Sequence, residues 1–415
     1  MNNKNSLRAA IDNFISAQRV QLLSILISQL KDIELAEDAL QDALIKAWSN
    51  WQQQGIPSHP KSWVLKTAYN QAIDILRRQQ NFNSKQAQIS HLLELQHELN
   101  THSVDELIPD ESLKLIFTCC HPALDNQSQI ALTLNTICGF STEQVAVSFL
   151  LKVPTMAQRL VRAKRKIKLS GIPYQTPEKN NLESRLNNVL SVIYLIYNQG
   201  YYSTDNSSLI ELDYTNEAIH LGLMLNQLMP QQAELLGLLA LMYFHLARFE
   251  SRVQKTNQII SLEQQDRKLW DHQKIQRAND WFLQAVQLKS MGPYQIQAAI
   301  SGVHCEAKHF KDTDWKQIAL LYNKLHEYLP NSTVRINQAV AMAYNDQANE
   351  AWKLLQTIAP NKLDDYLPMY LAKAHILKTM GQHSEANNNY SLAMALTKNL
   401  QEKTHLQTQI DLINH

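Results

Sequence analysis

The densest charge in this sequence is positive, and it lies between Arg159 and Lys168. Six of these ten positions are Arg or Lys, and none is Asp or Glu. Guanidinium and ammonium groups bind phosphate oxygens, so this stretch suits the binding of a nucleic-acid backbone. The residues alone leave two alternatives open: a basic helix that faces solvent, and a basic helix that meets an acidic partner.

The residues around these cations predict a helix-turn-helix. Ser141 is a good N-cap for a short helix over 142–149, and residues 151–153 form the turn. Pro154 suits the first position of a second helix, which runs to about Leu169. A short helix, a tight turn and a cationic second helix suit insertion into the DNA major groove. The inner face of the second helix consists of apolar residues at helical spacing: Met156, Leu160, Ala163 and Ile167.

A second candidate surface lies on the helix predicted over 61–80. Lys66, Asn70 and Arg77 can share one exposed face with the ring of Trp63, because their spacing is helical. Aromatic rings beside cations and amides suit unstacked bases and backbone phosphates. An ordinary amphipathic helix has the same periodicity, so both interpretations stay open.

The preceding helix carries its acidic residues toward its N-terminal half. Such residues are favourable to the helix dipole, so a purely structural role accounts for them. The acidic residues are Glu34, Glu37, Asp38 and Asp42. The apolar stripe of the same helix is Leu35, Ala39, Leu40, Ala43, Leu44 and Trp48.

No pattern predicts catalysis or a metal site. Cys119 and Cys120 are adjacent and cannot easily share one tetrahedral ion, so we expect buried thiols. In the C-terminal half, no histidine pair has metalloprotease spacing, and no Gly-rich phosphate loop occurs. The most suggestive polar cluster is Asp266, Arg267, Trp270 and Asp271, for which a buried salt-bridge network is the simpler interpretation. We therefore predict a protein that is not an enzyme and needs no metal and no cofactor.

The composition favours helices. The 415 residues include only 9 Gly and 12 Pro, about 5% together, where roughly 12% is usual. Few turns can be built from so few breakers, which argues against hairpin-rich folds, and the abundant Leu, Ala, Gln, Lys and Glu are helix formers. No apolar run approaches the ~20 residues of a membrane-spanning helix, and the polar N-terminus lacks a signal-peptide pattern. We therefore expect an all-α, cytoplasmic protein.

The net charge of +1 conceals three different segments. Residues 1–110 hold 10 basic and 12 acidic side chains, a net −2. Residues 111–172 hold 8 basic and 3 acidic side chains, a net +5, and residues 173–415 again carry −2. The positive excess therefore coincides with the predicted helix-turn-helix.

Two motif blocks give the chain a resemblance to a known family. The first block holds the strings AEDALQDA (36–43), KAW (46–48), PKSWVL (60–65), AYNQAID (68–74) and RR (77–78). The second block is the helix-turn-helix from Phe140 to Lys168. With these blocks, residues 7–172 resemble an extracytoplasmic-function (ECF) RNA polymerase sigma factor of the sigma-70 family. A subgroup with a long C-terminal TPR-like helical extension is similar over essentially the whole chain, through the strings FTCCHPAL (117–124), MAQRLVRAK (156–164), GIPY (171–174), QDR (265–267) and GPYQ (292–295).

The resemblance implies two small helical sigma domains, the second a helix-turn-helix, joined by a linker and followed by a TPR-like helical-repeat domain. It implies the following divisions: sigma region 2 at 7–80, the linker at 81–111, sigma region 4 at 112–172 and a C-terminal regulatory domain at 173–415. Such a protein binds core RNA polymerase and directs it to promoter DNA. The alternative function is a helical-repeat scaffold whose helix-turn-helix is incidental.

The resemblance also implies three sets of contact residues. Those expected to bind core polymerase, whose clamp helices and flap are the docking elements, are Asp38, Gln41, Asp42 and Lys46. Those expected at the −10 element are Trp63, Lys66, Asn70, Asp74, Arg77 and Arg78. Those expected at the −35 element are Thr155, Gln158, Arg159, Arg162, Lys164, Arg165 and Lys166.

The C-terminal part of the chain is internally repetitive. An offset of 35 residues relates three pairs of positions, close to the ~34-residue tetratricopeptide period. The pairs are Ala339 with Ala374, Ala343 with Lys378, and Ala351 with Ala386. We expect these repeats to bind a regulatory protein or to make an intramolecular contact with the sigma module.

Overall fold

Every regular element among the described residues of the computed structural model is a helix, which confirms the all-α prediction. The structure describes residues 2–78, 90, 92–93, 108–149, 151–201, 208–252, 260–358, 366–397 and 400–414. Contacts divide the chain into two compact units, Met1–Leu228 and Met229–His415. Within these described residues, no helix is both long enough and apolar enough to cross a membrane.

The first three helices are α1 (Asn2–Leu30), α2 (Ile33–Gln54) and α3 (Pro60–Arg78). Asp32 begins α2 as its N-cap, because its carboxylate accepts from the Leu35 N–H at 3.2 Å. Gly55 ends α2 at φ 83°, a left-handed conformation that favours glycine.

The predicted apolar stripe of α2 is correct for half of its residues. Ala39, Leu40 and Ala43 are buried as predicted, whereas Leu35, Leu44 and Trp48 are only half-buried. Trp51 takes the core position instead, with its ring edge-on to Phe14 (centroids 5.3 Å apart) and to Trp63 (5.5 Å). Spacing alone could not distinguish the two tryptophans, because they are three positions apart and both lie near the same helix face.

The next helices contain the predicted helix-turn-helix. They are α4 (Ile108–Cys119), α5 (Asn126–Leu132), α6 (Thr142–Ser148) and α7 (Val153–Leu169), with a π-helical turn at Thr133–Ile137 between α5 and α6. The predicted linker over 81–111 lies mostly outside the described residues, and its last four residues form the start of α4.

The local signals of the helix-turn-helix are confirmed. Ser141 caps α6 in a capping box with Gln144, and Pro154 lies in the first turn of α7. The four apolar residues predicted for the inner face of α7 are all buried. Cys119 and Cys120 are free, buried thiols as predicted, and burial raises the pKa of Cys120 to about 12.

Two further helices, α8 (Lys179–Tyr201) and α9 (Ser208–Leu228), pack on each other and belong to the first unit. The segment that leads to α8 is fixed by Tyr174, whose hydroxyl donates to the carbonyl oxygens of Ser24 (2.9 Å) and Glu111 (3.1 Å). The segment after the helix-turn-helix is thereby tied to α1 and α4.

The second unit consists of helices packed largely in sequence order. They are α10 (Ala233–Ala247), α11 (Phe249–Arg252), α12 (His272–Gln287), α13 (Pro293–Glu306), α14 (Trp315–Tyr328), α15 (Ser332–Tyr344), α16 (Ala348–Gln356), α17 (Leu367–Thr379), α18 (His383–Leu396) and α19 (Leu400–Asn414). The helices α15 and α17 begin 35 residues apart, as do α16 and α18. The 35-residue offset predicted from the sequence therefore relates one helical hairpin, α15 with α16, to the next, α17 with α18.

Small residues allow these hairpins to pack closely. Ala339, Ala351, Ala374 and Ala386 are each 0% exposed, so backbones approach where larger side chains would separate them. Asp314 begins α14 as its N-cap, since its carboxylate accepts from the Gln317 N–H at 2.8 Å.

Arg267 joins several segments of the second unit, although not through the predicted salt-bridge network. Its guanidinium donates to the carbonyl oxygens of His304 and Ala307, each at 2.6 Å, and lies over the Trp270 ring. Asp271 caps α12 by accepting from the Lys274 N–H at 3.0 Å. The carbonyl oxygens at the end of helix α13 accept the Arg267 hydrogen bonds, where the sequence predicted carboxylates of a buried salt-bridge network.

Candidate nucleic-acid interface

All six residues predicted to contact the −10 element lie on helix α3. Lys66, Asn70 and Asp74 are exposed, as are Arg77 and Arg78, whereas the opposite face of the helix is buried. The ring of Trp63 is half-buried and held edge-on against Trp51. The exposed face therefore combines cations and an amide with one fixed aromatic ring.

The acidic member of this face does not neutralise it. The Asp74 carboxylate lies 3.9 Å from the Arg77 guanidinium, and both side chains are 53% exposed. Exposed pairs of this kind contribute little stability, typically below about 1 kcal/mol. Arg77 can therefore exchange Asp74 for a phosphate at small cost.

We expect the double substitution Lys66→Ala and Arg78→Ala to weaken binding of a single-stranded −10 oligonucleotide. Each single-strand phosphate contact contributes about 0.7 to the salt slope, so the slope should fall by about 1.4. Fluorescence anisotropy of polymerase holoenzyme at several salt concentrations measures this slope. The substitution Lys316→Ala, of an exposed cation on α14, is the control. An unchanged slope in the double variant would mean that this face does not contact the strand.

Helix α2 carries the four residues predicted to bind polymerase, and all four are exposed: Asp38, Gln41, Asp42 and Lys46. Burial, together with the charges of Glu37 and Asp42, raises the pKa of Asp38 above its ordinary value. The surface therefore concentrates negative charge, which suits a protein partner with basic residues.

Sequence reasoning missed an apolar residue in the same surface. Ile45 is 59% exposed and follows Asp38, Gln41 and Asp42 at helical spacing. Ile45 could have been predicted from the sequence, because it is a large aliphatic residue at a helical position whose neighbours on the same face are polar. An exposed isoleucine among carboxylates gives the surface an apolar contact point.

The seven residues predicted for the −35 element lie on helix α7 and differ in their exposure. Thr155, Gln158, Arg162 and Arg165 are exposed on its outer face. Exposed Lys166 donates from Nζ to the Ala123 carbonyl oxygen at 2.5 Å. These groups form a polar and cationic surface that a DNA groove can approach.

Arg159 and Lys164, also predicted to bind DNA, make contacts within the chain. The Arg159 guanidinium lies 5.6 Å from the centroid of the Phe149 ring and is half-buried. The Lys164 side chain is 12% exposed, and its Nζ lies 2.5 Å from the Glu37 carboxylate on α2. Of the seven predicted −35 residues, these two therefore contribute least to the open surface of α7.

Helices α8 and α9 contact the helix-turn-helix unit through residues that sequence reasoning did not select. Arg185 donates to the Phe117 carbonyl oxygen at 2.6 Å, and Asn188 donates to that of Cys120. Tyr214 stacks on Phe140 with centroids 4.7 Å apart. The Tyr214 hydroxyl also donates to the Gln144 carbonyl oxygen at 2.9 Å. The start of the C-terminal extension is thus bound to the elements that support α7.

Three stretches of the chain match known families. Residues 14–82 match Sigma-70 region 2, and residues 114–167 match Sigma-70, region 4. Residues 185–286 match a family of unknown function, DUF6596. An uncharacterized protein of Rhizobium meliloti (strain 1021) is 34% identical over 350 residues, which cover 84% of this chain and 83% of that protein. No solved structure matches the chain significantly.

Proposed function

The chain belongs to the sigma-70 family, and we propose that it is an ECF-type sigma factor whose helices α2, α3 and α7 each bind a different ligand during transcription initiation. As a sigma factor, it directs promoter-specific transcription initiation with core RNA polymerase, and its family consists of non-enzymatic initiation factors. In the proposal, α2 binds core polymerase, α3 the −10 element and α7 the −35 element.

The observation that carries this division is the different chemistry of three exposed helix faces. The α2 face holds carboxylates around Ile45, which suits a protein surface. The α3 face combines cations and an amide with Trp63, which suits an unstacked strand. The outer face of α7 holds cations and short polar groups, which suits duplex DNA. One chain therefore presents a surface for each of the three ligands that initiation requires.

In vitro transcription tests the proposal directly. Purified full-length chain is added to core polymerase with a library of promoter fragments, and transcript start sites are mapped. We expect start sites downstream of a shared pair of sequence elements, and transcripts that disappear without the chain. Transcripts that never depend on the chain would overturn the proposal. The scaffold alternative has no support beyond the helical repeats, since separate matches cover regions 2 and 4 in the expected order.

We also propose that the C-terminal extension regulates region 4 through α8 and α9. The support is the set of contacts that Arg185, Asn188 and Tyr214 make with backbone carbonyls of α4, α6 and the residue that follows α4. A signal that moves α8 and α9 would change their contacts with α4 and α6, and with them the packing around α7, the helix proposed to read the −35 element. The 35-residue hairpins of the second unit, which we propose to be TPR-like, supply a surface on which a partner could act.

We expect Tyr214→Ala to destabilise region 4 by about 3 kcal/mol, because it removes a buried ring that stacks on Phe140. Tyr214→Phe is the matched control: it keeps the ring and removes only the hydroxyl bond to Gln144, at about 1 kcal/mol. Hydrogen exchange of α6 and α7 measures both effects. Equal protection in the two variants would show that the stacked ring does not support region 4.

A further inference from the structure

We propose that the second unit binds a small aromatic anion, that is, a flat ring that carries a phosphate or carboxylate group. The anionic group binds at Arg248 and Trp270, and the ring occupies the neighbouring aromatic cavity. All of these residues belong to the second unit. The inference goes beyond the proposed function, because it assigns a ligand to the part of the chain that contacts neither polymerase nor promoter in that proposal.

Arg248 is a buried cation without an anion. The residue follows α10 and is 9% exposed, and its Nε has no hydrogen-bond partner in the part of the chain that the structure describes. None of the ion pairs found among the described residues involves Arg248, and residues 253–259, directly after α11, include no Asp or Glu. Burying a charge without a counter-charge costs free energy. The position therefore suits an anion that does not belong to the chain.

A second buried donor without an acceptor lies beside Arg248. Trp270 is 3% exposed, and its indole Nε1 finds no acceptor within the described ranges. The Arg248 guanidinium lies 5.8 Å from the centroid of the Trp270 ring. Buried indole N–H groups usually have an acceptor. An oxyanion has enough lone pairs to accept from Arg248 and Trp270 together, and hydrogen bonds to an anion are stronger than neutral ones.

Arg267 adds positive charge to this position. Its guanidinium lies 4.8 Å from the centroid of the same Trp270 ring. It donates to the carbonyl oxygens of His304 and Ala307 and to the Thr313 hydroxyl at 3.3 Å, and all three acceptors are neutral. Burial lowers the pKa of Arg267, and the charge of Arg248 acts in the same direction. Two like charges therefore share one region, which an anion would stabilise.

The aromatic cavity adjoins these cations at His304. The cavity has a volume of about 280 Å³, and its lining includes His304, Phe310, Trp315 and Tyr344. Trp315 and Tyr344 are stacked with centroids 4.4 Å apart, and His304 is edge-on to Trp315 at 5.3 Å. Aromatic side chains pack favourably against flat rings. The cavity therefore suits the aromatic part of the ligand.

The charges around the cavity orient such a ligand. Burial, together with the charges of Arg248 and Arg267, lowers the pKa of His304 to about 3, so its ring is neutral at neutral pH. Burial and the charge of Glu263, an exposed residue of the lining, raise the pKa of Tyr344. The arginines thus act on His304 and the carboxylate acts on Tyr344. An anionic group is attracted toward the His304 end and repelled by Glu263.

Calorimetric titration of the full-length chain tests the proposal. The chain is dialysed into chloride buffer and titrated with phenyl phosphate, benzoate, inorganic phosphate and phenol. We expect phenyl phosphate or benzoate to bind at least about tenfold tighter than inorganic phosphate and phenol, because only the aromatic anions use both parts of the site. The tighter of the two identifies the anionic group. Binding of neither, or binding no tighter than that of phenol, would overturn the proposal.

Two variants locate the bound anion. Arg248→Met removes the charge and keeps an unbranched apolar side chain, and should weaken binding of the aromatic anion about 30-fold. Trp270→Phe keeps an aromatic ring without the N–H and should weaken binding about tenfold. The matched control is Arg277→Met, since Arg277 is exposed with its guanidinium 5.7 Å from the centroid of the Tyr243 ring. The control should change affinity less than about twofold. Full affinity in Arg248→Met would overturn the proposal.

Thermal unfolding distinguishes a ligand site from a structural role of Arg248. Without ligand, Arg248→Met should keep or raise the thermal midpoint, because it removes a buried charge that has no partner. Phenyl phosphate at about ten times its dissociation constant should raise the wild-type midpoint by about 3–5 °C and leave that of Arg248→Met unchanged. A clearly lower midpoint of the ligand-free variant, with an equal shift in both chains, would overturn the proposal. These measurements contain no polymerase, so their failure would leave the proposed function intact.

Discussion

Replacing Arg162 and Arg165 together with alanine is expected to weaken binding of the −35 duplex by about 2–6 kcal/mol. Both side chains are exposed on the outer face of α7, one turn apart, where a helix in the major groove would meet bases and phosphates. If each arginine neutralises one phosphate, the salt slope should also fall by about 1.8. Titrations of labelled duplex at several salt concentrations measure both quantities.

The control for this prediction is the double substitution Lys268→Ala and Lys316→Ala, which removes the same charge from exposed positions of the second unit. It should leave the affinity and the slope within error. Arg159→Ala provides a further comparison, because its guanidinium lies against Phe149 and the variant should lose helix packing as well. Normal duplex binding by the Arg162 and Arg165 double variant would show that another element reads the −35 sequence.

Reversing the charges of Asp38 and Asp42 to lysine is expected to reduce affinity for core polymerase by about 4 kcal/mol, roughly a thousandfold. Both carboxylates are exposed on one face of α2, and reversal turns attraction to a basic partner surface into repulsion. Binding of the −10 strand should persist in the isolated chain, because α3 is unchanged. Titration of labelled chain into core polymerase, with strand binding measured in parallel, tests both statements.

Two further variants sharpen this prediction. Asp12→Lys reverses an exposed charge on α1 and serves as the control. Ile45→Ala removes the apolar side chain that the structure places in the same face, and should cost about 1–2 kcal/mol of binding with little loss of salt dependence. Full affinity in the Asp38 and Asp42 variant would exclude this face as the docking surface.

The fold class and the helix faces could be predicted because they are local properties. Met156, Leu160, Ala163 and Ile167 repeat at helical spacing, and the same spacing that buries them exposes Arg162 and Arg165. Ser141 caps its helix through a residue three positions away. Hydrogen bonds and faces within one helix depend on neighbours in sequence, so a sequence pattern contains them.

The sequence also determined that cations concentrate between Arg159 and Lys168, and it left open whether they face solvent, DNA or an acidic partner. Tertiary structure decided this separately for each side chain. Lys164 and Lys168 meet carboxylates 127 and 136 positions away, whereas Arg162 and Arg165 remain exposed. The contacts of Arg185 and Tyr214 with region 4 could not be predicted from the sequence either. Pairing between residues so far apart in the chain depends on how helices pack and not on their periodicity.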